Sequence, residues 1–205
     1  MRYIYVVDDD DAVRASLSSL LGIRSDAAIQ AFRSGDYFLE GAAQLRPGCV
    51  LLDVHMPGRN GIDVLEAIHG DVRFSTIILT GQGDVNLATR AMKAGAIDFI
   101  EKPYDAEVLH ASIEFAFARL ERDIRARQRI DGAKRQIDLL SARETDVLKG
   151  LVEGQSNKAI AIQHDISPRT VEAYRANLMG KLKVDSLSEA LRIAFLAELI
   201  PLHAE

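Results

Sequence analysis

The chain of 205 residues holds one cysteine, Cys49, so no intrachain disulfide can staple it. Its fold must rest on a packed core, and a lone thiol fits a reducing compartment. Cys49 sits in the run Cys49-Val50-Leu51-Leu52 and reads as a small buried hydrophobe rather than a reactive thiol. No apolar stretch approaches the ~20 residues that a membrane-spanning helix needs. No basic segment followed by an apolar one precedes the first strand-like run, so an export signal is not recognisable. The expectation is a soluble, cytoplasmic chain with no membrane partner. Excess positive charge is also missing. The net charge is -5, so the molecule as a whole does not advertise a polyanion ligand. There is no internal repeat and no low-complexity segment. With 48% hydrophobic and 27% charged residues, the composition is that of an ordinary globular protein and argues against disorder.

The charge is unevenly spread. Residues 1–118 carry 10 Lys+Arg against 17 Asp+Glu, whereas residues 119–205 carry 15 against 13. An acidic first half and a mildly basic second half predict two units with different partners. In the first half, short apolar runs alternate with segments of helical period. Strands are expected at Tyr3–Val7, Ala27–Phe32, Cys49–Leu52, Thr76–Leu79 and Ile97–Ile100. Helices are expected near Asp11–Leu21, Asp36–Ala43, Ile62–His69 and Val85–Ala94, with a fifth beginning near Asp105. Five apolar strands, each followed by a helix, imply a parallel α/β sheet covered on both faces, that is, a doubly wound fold.

In such sheets ligands bind outside the carboxyl ends of the strands. Strand one ends in Asp8-Asp9, strand three in Asp53 and strand four in Thr80, and strand five is followed by Lys102. Three carboxylates, a hydroxyl and an ammonium thus converge on one rim. Crowded carboxylates repel one another, and Mg²⁺ suits an oxygen-only site that relieves the repulsion. An aspartate beside such a cation can attack a phosphoryl group and form an aspartyl phosphate. The lysine would stabilise charge on the transferring group, and the hydroxyl would sense it. Asp10 reads as a cap of the following helix. Gly81-Gln82-Gly83 does not open a dinucleotide site, because it follows strand four and lacks the third glycine. A haloacid-type hydrolase would share this pocket, but it needs an acid/base Asp two residues after the nucleophile, where His55 stands.

Val6-Val7-Asp8-Asp9-Asp10, Asp53-Val54-His55-Met56-Pro57 with Gly61, Thr80-Gly81 and Lys102-Pro103 together resemble the receiver domains of two-component response regulators. The resemblance implies that Asp53 is the phosphoacceptor. It implies Mg²⁺ held by Asp9, Asp53 and the backbone carbonyl of His55, with Asp8 helping through water. It further implies that Lys102 contacts the phosphoryl group, that Thr80 and Phe99 form a switch pair, and that Lys102-Pro103 is a cis peptide. No enzyme activity is expected beyond self-promoted phosphoryl transfer to, and hydrolysis from, Asp53.

The fifth helix runs on, with Leu109, Ile113, Phe117, Leu120 and Ile124 as an apolar stripe. Residues 120–138 read as a helical linker between a domain at 1–119 and a second at 139–205; a solvated single helix and a dimeric coiled coil both fit its mostly charged middle. The second domain reads as four helices. Ser141-Ala142-Arg143-Glu144 is a capping box, and that helix stops at Gly154. Ser156 opens the next, which ends near His164. Asp165-Ile166 make a tight turn, and Ser167-Pro168 start the third, running to about Lys183. Ser186 caps the fourth, which ends before Pro201. On the third helix, Val171, Leu178 and Leu182 share a packing stripe flanked by Tyr174 and Arg175. The opposite face carries Arg169, Glu172, Ala173, Ala176, Asn177, Gly180 and Lys183, small at its centre and cationic at its rim.

A helix of that kind after a tight turn fits the major groove of double-stranded DNA. Arg169, Lys181 and Lys183 would hold phosphates, as would Lys158 with the N–H groups that open its helix. Glu172 suits cytosine N4, and Ala173 and Ala176 suit thymine methyls. Leu140-Ser141-Ala142-Arg143-Glu144, Gly154, Asn157-Lys158-Ala159-Ile160-Ala161 and Ser167-Pro168-Arg169-Thr170-Val171-Glu172 resemble the LuxR-type helix-turn-helix domain. With the receiver, the whole is similar to the FixJ/NarL class, and the FixJ-like branch fits best from Gly83-Asp84-Val85 and the Ser-Pro-Arg-Thr-Val-Glu run. Tyr174 stands where a histidine is common in that family; Thr170, Tyr174 and Asn177 complete the expected contact surface. Residues 141–199 are neutral, with 8 cations and 8 anions, so dimerisation is needed for useful affinity. Leu187, Ala190, Leu191 and Ala194 form a candidate dimer face, with core packing as the other explanation. The expected function is a transcription factor phosphorylated by a sensor histidine kinase, which then dimerises and binds operator DNA. The competing expectation is a phosphate sink whose helical tail binds a protein.

Overall fold

A computed structural model describes residues 1–22, 27–81 and 85–200. Gly83 and Asp84, on which part of the FixJ-like expectation rests, lie outside the described residues, as do Gln82 and Pro201. The chain divides into two compact units, Met1–Ile124 and Arg125–Glu205.

The first unit is a five-stranded parallel sheet in the order β2-β1-β3-β4-β5. Its strands are β1 (Arg2–Val7), β2 (Ala27–Phe32), β3 (Gly48–Asp53), β4 (Phe74–Thr80) and β5 (Asp98–Glu101). The helices between and after them are α1 (Asp11–Gly22), α2 (Gly35–Ala42), α3 (Gly61–Ala67), α4 (Val85–Lys93) and α5 (Ala106–Ile137). The order follows from burial. Every residue of β3 is buried, and β3 lies at the centre between β1 and β4. The weakly apolar β2, exposed at Gln30 and Ala31, takes an edge, where one side of the ladder needs no partner. Because alternate strand residues face opposite ways, each layer of helices meets its own core. Tyr5, Val7, Val50, Leu52 and Ile78 pack with Phe38, Val64 and Leu65 of α2 and α3. Ile4, Val6, Leu51, Ile77 and Leu79 pack with Leu17 and Leu21 of α1 and Leu109, Ile113 and Phe117 of α5.

The second unit is all helical. It holds the end of α5, then α6 (Ala142–Val152), α7 (Asn157–Gln163), α8 (Pro168–Leu182) and α9 (Leu187–Leu196). All four starts are capped as the sequence predicts, by Ser141, Ser156, Ser167 and Ser186, each accepting a backbone N–H three residues on. At Ser141 the box is complete, with Glu144 accepting the Ser141 N–H at 2.7 Å. The turn before α8 puts Asp165 at φ 53°, a left-handed conformation that a short polar side chain tolerates. Val147, Leu148, Leu151, Ile160, Val171, Leu178, Leu182, Ala190 and Ala194 form one core. A Cβ on Gly150 would lie 2.7 Å from Cγ1 of Ile160, so α6 and α7 approach at a distance that only glycine permits. Ala133 of α5 is buried in this core, and Ile137 and Leu140 pack against it. The end of the expected linker is therefore part of the second unit, whereas residues 125–129 are all exposed. α9 stops at Leu196, before Pro201 as expected.

Candidate functional site

The carboxyl ends of β1 and β3 and the segment after β5 meet around one depression, lined by Asp8, Asp9, Asp10, Val13, Asp53, His55, Gly81 and Lys102. Asp8 and Asp53 are 2% and 5% exposed. The Lys102 ammonium lies between them, donating to Asp8 Oδ2 and to Asp53 Oδ1 at 2.7 Å each. The remaining oxygens take backbone donors. Asp8 Oδ1 accepts the Asp10 N–H at 2.9 Å, and Asp53 Oδ2 accepts the His55 N–H at 2.7 Å. Burial works against a charge on Lys102, but the hydrogen bonds and charges of Asp53 and Asp8 outweigh it and hold its pKa above the ordinary lysine value.

The other expected members fall nearby. Asp9 is exposed at the rim, and Asp10 caps α1, accepting the Ala12 N–H at 2.7 Å. Thr80 is fully buried at the end of β4, and its carbonyl accepts the Lys102 N–H at 2.6 Å. Phe99 on β5 is half-buried against the α2–α4 core. Neither of these two lines the depression. The Lys102–Pro103 bond is cis. His55 is exposed. Gly61 fits directly under the third strand: a Cβ there would come 2.2 Å from the Asp53 carbonyl oxygen. Arg14 was not foreseen. It donates to the Asp8 carbonyl at 2.6 Å and pairs with Asp11, a link whose only trace in the sequence is the i, i+3 spacing.

Among the described residues no three His, Cys, Asp or Glu side chains stand close enough to hold a metal ion unaided. The donor set nevertheless fits a hard divalent cation that keeps its waters. One ammonium against two buried carboxylates leaves a negative excess, which Asp9 increases at the open side.

In the second unit, α8 divides as its stripe predicts. Val171, Leu178 and Leu182 are wholly buried, while Arg169, Glu172, Ala173, Ala176, Asn177, Gly180, Lys181 and Lys183 are exposed, as is Lys158 on α7. Thr170 and Tyr174 are half-buried, and the Thr170 hydroxyl bonds to Ser167 Oγ at 2.8 Å. Lys181 departs from the phosphate-holding expectation: its ammonium donates to the buried Glu144 at 2.6 Å, which ties α8 to the start of α6. Glu144 feels burial first, which raises its pKa, but the bonds from Lys181 and Ser141 prevail and lower it. Arg175 donates to Asn157 at 2.6 Å. Neither tie has a signal in the sequence, since both join residues far apart in the chain. Of the candidate dimer face on α9, Ala190 and Ala194 belong to the unit's own core, as the core-packing explanation has it, whereas Leu187 is exposed, as are Phe195 and Leu196.

Comparison with known proteins agrees with both units. The family described as response regulator receiver domain matches residues 4–114, and that of bacterial regulatory proteins, luxR family, matches residues 138–194. The chain is 43% identical over 199 residues to the transcriptional regulatory protein FixJ of Bradyrhizobium diazoefficiens, covering 97% of each. It is 39% identical over 195 residues to the response regulator protein TmoT of Ectopseudomonas mendocina, covering 93% of this chain and 86% of that one. Among solved structures, the response regulator StyR matches with a TM-score of 0.78 at 34% identity, over 95% of this chain and 98% of that one. Full-length FixJ from B. japonicum matches with a TM-score of 0.58 at 42% identity, over 97% and 98%. The chain thus belongs to the response regulators, as a FixJ-like, phosphorylation-dependent transcriptional regulator with a LuxR-type DNA-binding domain.

Proposed function

We propose that Asp53 is the phosphoacceptor and that a sensor histidine kinase is the donor. The observation that carries this is the Lys102 ammonium, 2.7 Å from both Asp53 and Asp8 in an open acidic depression. A carboxylate oxygen of Asp53 attacks phosphorus, the P–N bond to the kinase histidine breaks, and its electron pair returns to the imidazole. Lys102 follows the charge onto the phosphoryl oxygens. Asp9, Asp53 and the His55 carbonyl would hold Mg²⁺, with Asp8 helping through water, and the ion would supply charge neutralisation at the phosphoryl group. Hydrolysis of the acyl phosphate returns Asp53 to its carboxylate.

The output follows from Thr80 and Phe99. Buried Thr80 precedes Gly81 of the pocket wall and would bond a new phosphoryl oxygen; Phe99 lies on the neighbouring strand, β4 pairing Ile78 with Phe99. Their rearrangement alters the α4–β5 face and favours a homodimer. Two α8 helices then meet half-sites of a two-fold operator about one turn of DNA apart. Arg169, Lys158 and Lys183 meet phosphates, with Thr170, Tyr174 and Lys181 at the edge of that surface; Glu172, Ala173, Ala176 and Asn177 face the bases. The domain limits proposed are 1–119 for the receiver and 139–205 for the DNA-binding domain, with 120–138 as a connecting helix whose end packs into the second unit, and the compartment is the cytoplasm.

Incubation with acetyl phosphate and Mg²⁺, followed by intact mass, tests the acceptor. The parent should gain one phosphoryl group and Asp53→Asn none. Uptake by Asp53→Asn at the parent rate would sink the assignment.

A further inference from the structure

The cations of α8 differ in what holds them. Lys181 is neutralised by Glu144, whereas Arg169 stands in solvent. Arg175 is a third case. Its Nη1 donates to Oδ1 of Asn157, the first residue of α7, at 2.6 Å. Asn157 carries no charge, so the bond fixes the guanidinium without neutralising it. Among the described residues no carboxylate pairs with Arg175, and no other hydrogen bond uses its remaining N–H groups. Arg175 and Asn157 are both half-buried, and Lys158, next along α7, is exposed. A guanidinium presents five donors in a rigid fork that matches two phosphate oxygens. Once one arm is tied, little side-chain freedom is left to lose when an anion arrives. In a helix-turn-helix unit, the helix before the recognition helix crosses the nucleic-acid backbone. The end of the Arg175 side chain lies on that helix.

We propose that Arg175 is a DNA-backbone anchor, with Asn157 as its positioning residue and Lys158 as the neighbouring cation. The proposal rests on α8 being the groove-entering helix. It adds a contact on the flank of the packing stripe, where helical periodicity alone assigns core packing.

The test uses the full-length chain and a mixed-sequence duplex of about 30 base pairs, with binding read by fluorescence anisotropy across a salt series; such binding is carried by phosphates. Arg175→Ala should lower the slope of log affinity against log salt by about 0.9 and weaken binding about tenfold at the lowest salt. Arg175→Lys should keep the slope and lose a few-fold in affinity, because the charge stays and the fork goes. Asn157→Ala should likewise keep the slope and weaken binding. Arg175→Gln, which retains a donor for Asn157, replaces the alanine variant if that one melts early. A parent-like slope in the folded, uncharged Arg175 variant overturns the anchor and leaves only a tie between α7 and α8. Arg169→Ala separates the two levels. A slope that falls for Arg169→Ala alone overturns the anchor only, and one that falls for neither overturns α8 as the DNA face.

Discussion

In the first unit, the charges that matter have been withdrawn from water and satisfy one another: Asp8 and Asp53 are buried, and Lys102 bridges them. In the second unit, Arg169, Lys158 and Lys183 stand in solvent, and the partner proposed for them is another molecule. The difference matches what each unit handles. A phosphoryl group is small and must be met on several sides at once, so its site is a closed set of internal interactions. On the proposed assignment, adding it to Asp53 would remove a carboxylate, bring new oxygens and force Lys102 to be shared anew. That is a local rearrangement able to propagate along β4 and β5. A duplex is large and its phosphates lie outside, so the DNA face needs no internal change to engage it. Switching therefore belongs to the first unit and presentation to the second.

The sharpest way to break this contrast is to remove the internal cation. Lys102→Met leaves two buried carboxylates facing each other, and an uncompensated buried charge costs about 3–5 kcal/mol. The first unit should lose that much unfolding free energy in chelator, measured by urea titration of near-neutral samples. Mg²⁺ should restore part of it, because the cation takes over the neutralisation that the ammonium supplied. A variant as stable as the parent in chelator would mean that water already screens Asp8 and Asp53, and the closed-set account would fail.

Glu144 is the exception that sharpens the contrast, since it is an internal charge in the unit whose other key charges are external. It is 3% exposed and is held by Ser141 and Lys181. Its pKa in the fold lies below the unfolded value of roughly 4.3. The sign follows from linkage. Its contribution is complete above the unfolded value and is lost as pH falls through the folded one. Glu144→Gln should cost the second unit about 1–2 kcal/mol at neutral pH, on the scale of a charge-assisted hydrogen bond. It should also flatten the acid limb of the stability profile below about pH 5. Parent-like steepness on that limb would assign the acid sensitivity to other carboxylates.

How much of this was legible in the sequence also differs between the units. Strand alternation, serine caps and the rim of Asp8, Asp53 and Lys102 were all readable, because each is set by local spacing or by the rule that sites gather at strand ends. The packing stripe of α8 was readable for the same reason: Val171, Leu178 and Leu182 are one face of one helix. Contacts between elements were not. Lys181 reads as a phosphate ligand from its place on α8, and only the tertiary approach of α6 shows that Glu144 already holds it. The α9 stripe left two explanations open for the same reason. Ala190 and Ala194 share a helical stripe with Leu187, but small residues at close helix contacts belong inside, and the exposed side carries Phe195. Helical period finds an apolar stripe; it does not say whether the stripe meets its own domain or another molecule.

The smallest stability effect is expected where a charge is wholly external, and Lys158 tests this. It is exposed on α7, and among the described residues no hydrogen bond or ion pair holds it. Lys158→Ala should leave the melting of both units within about 0.5 kcal/mol of the parent, as for most surface substitutions. Its effect should appear only with DNA: binding weakened to a similar degree on every sequence, and a salt slope lower by about 1. A base-specific loss would instead place the ammonium in the groove, and a stability loss above 1 kcal/mol would show that Lys158 has an internal role. Either result would move it to the class that Glu144 represents. The contrast between the units would then rest on Arg169 and Lys183 alone.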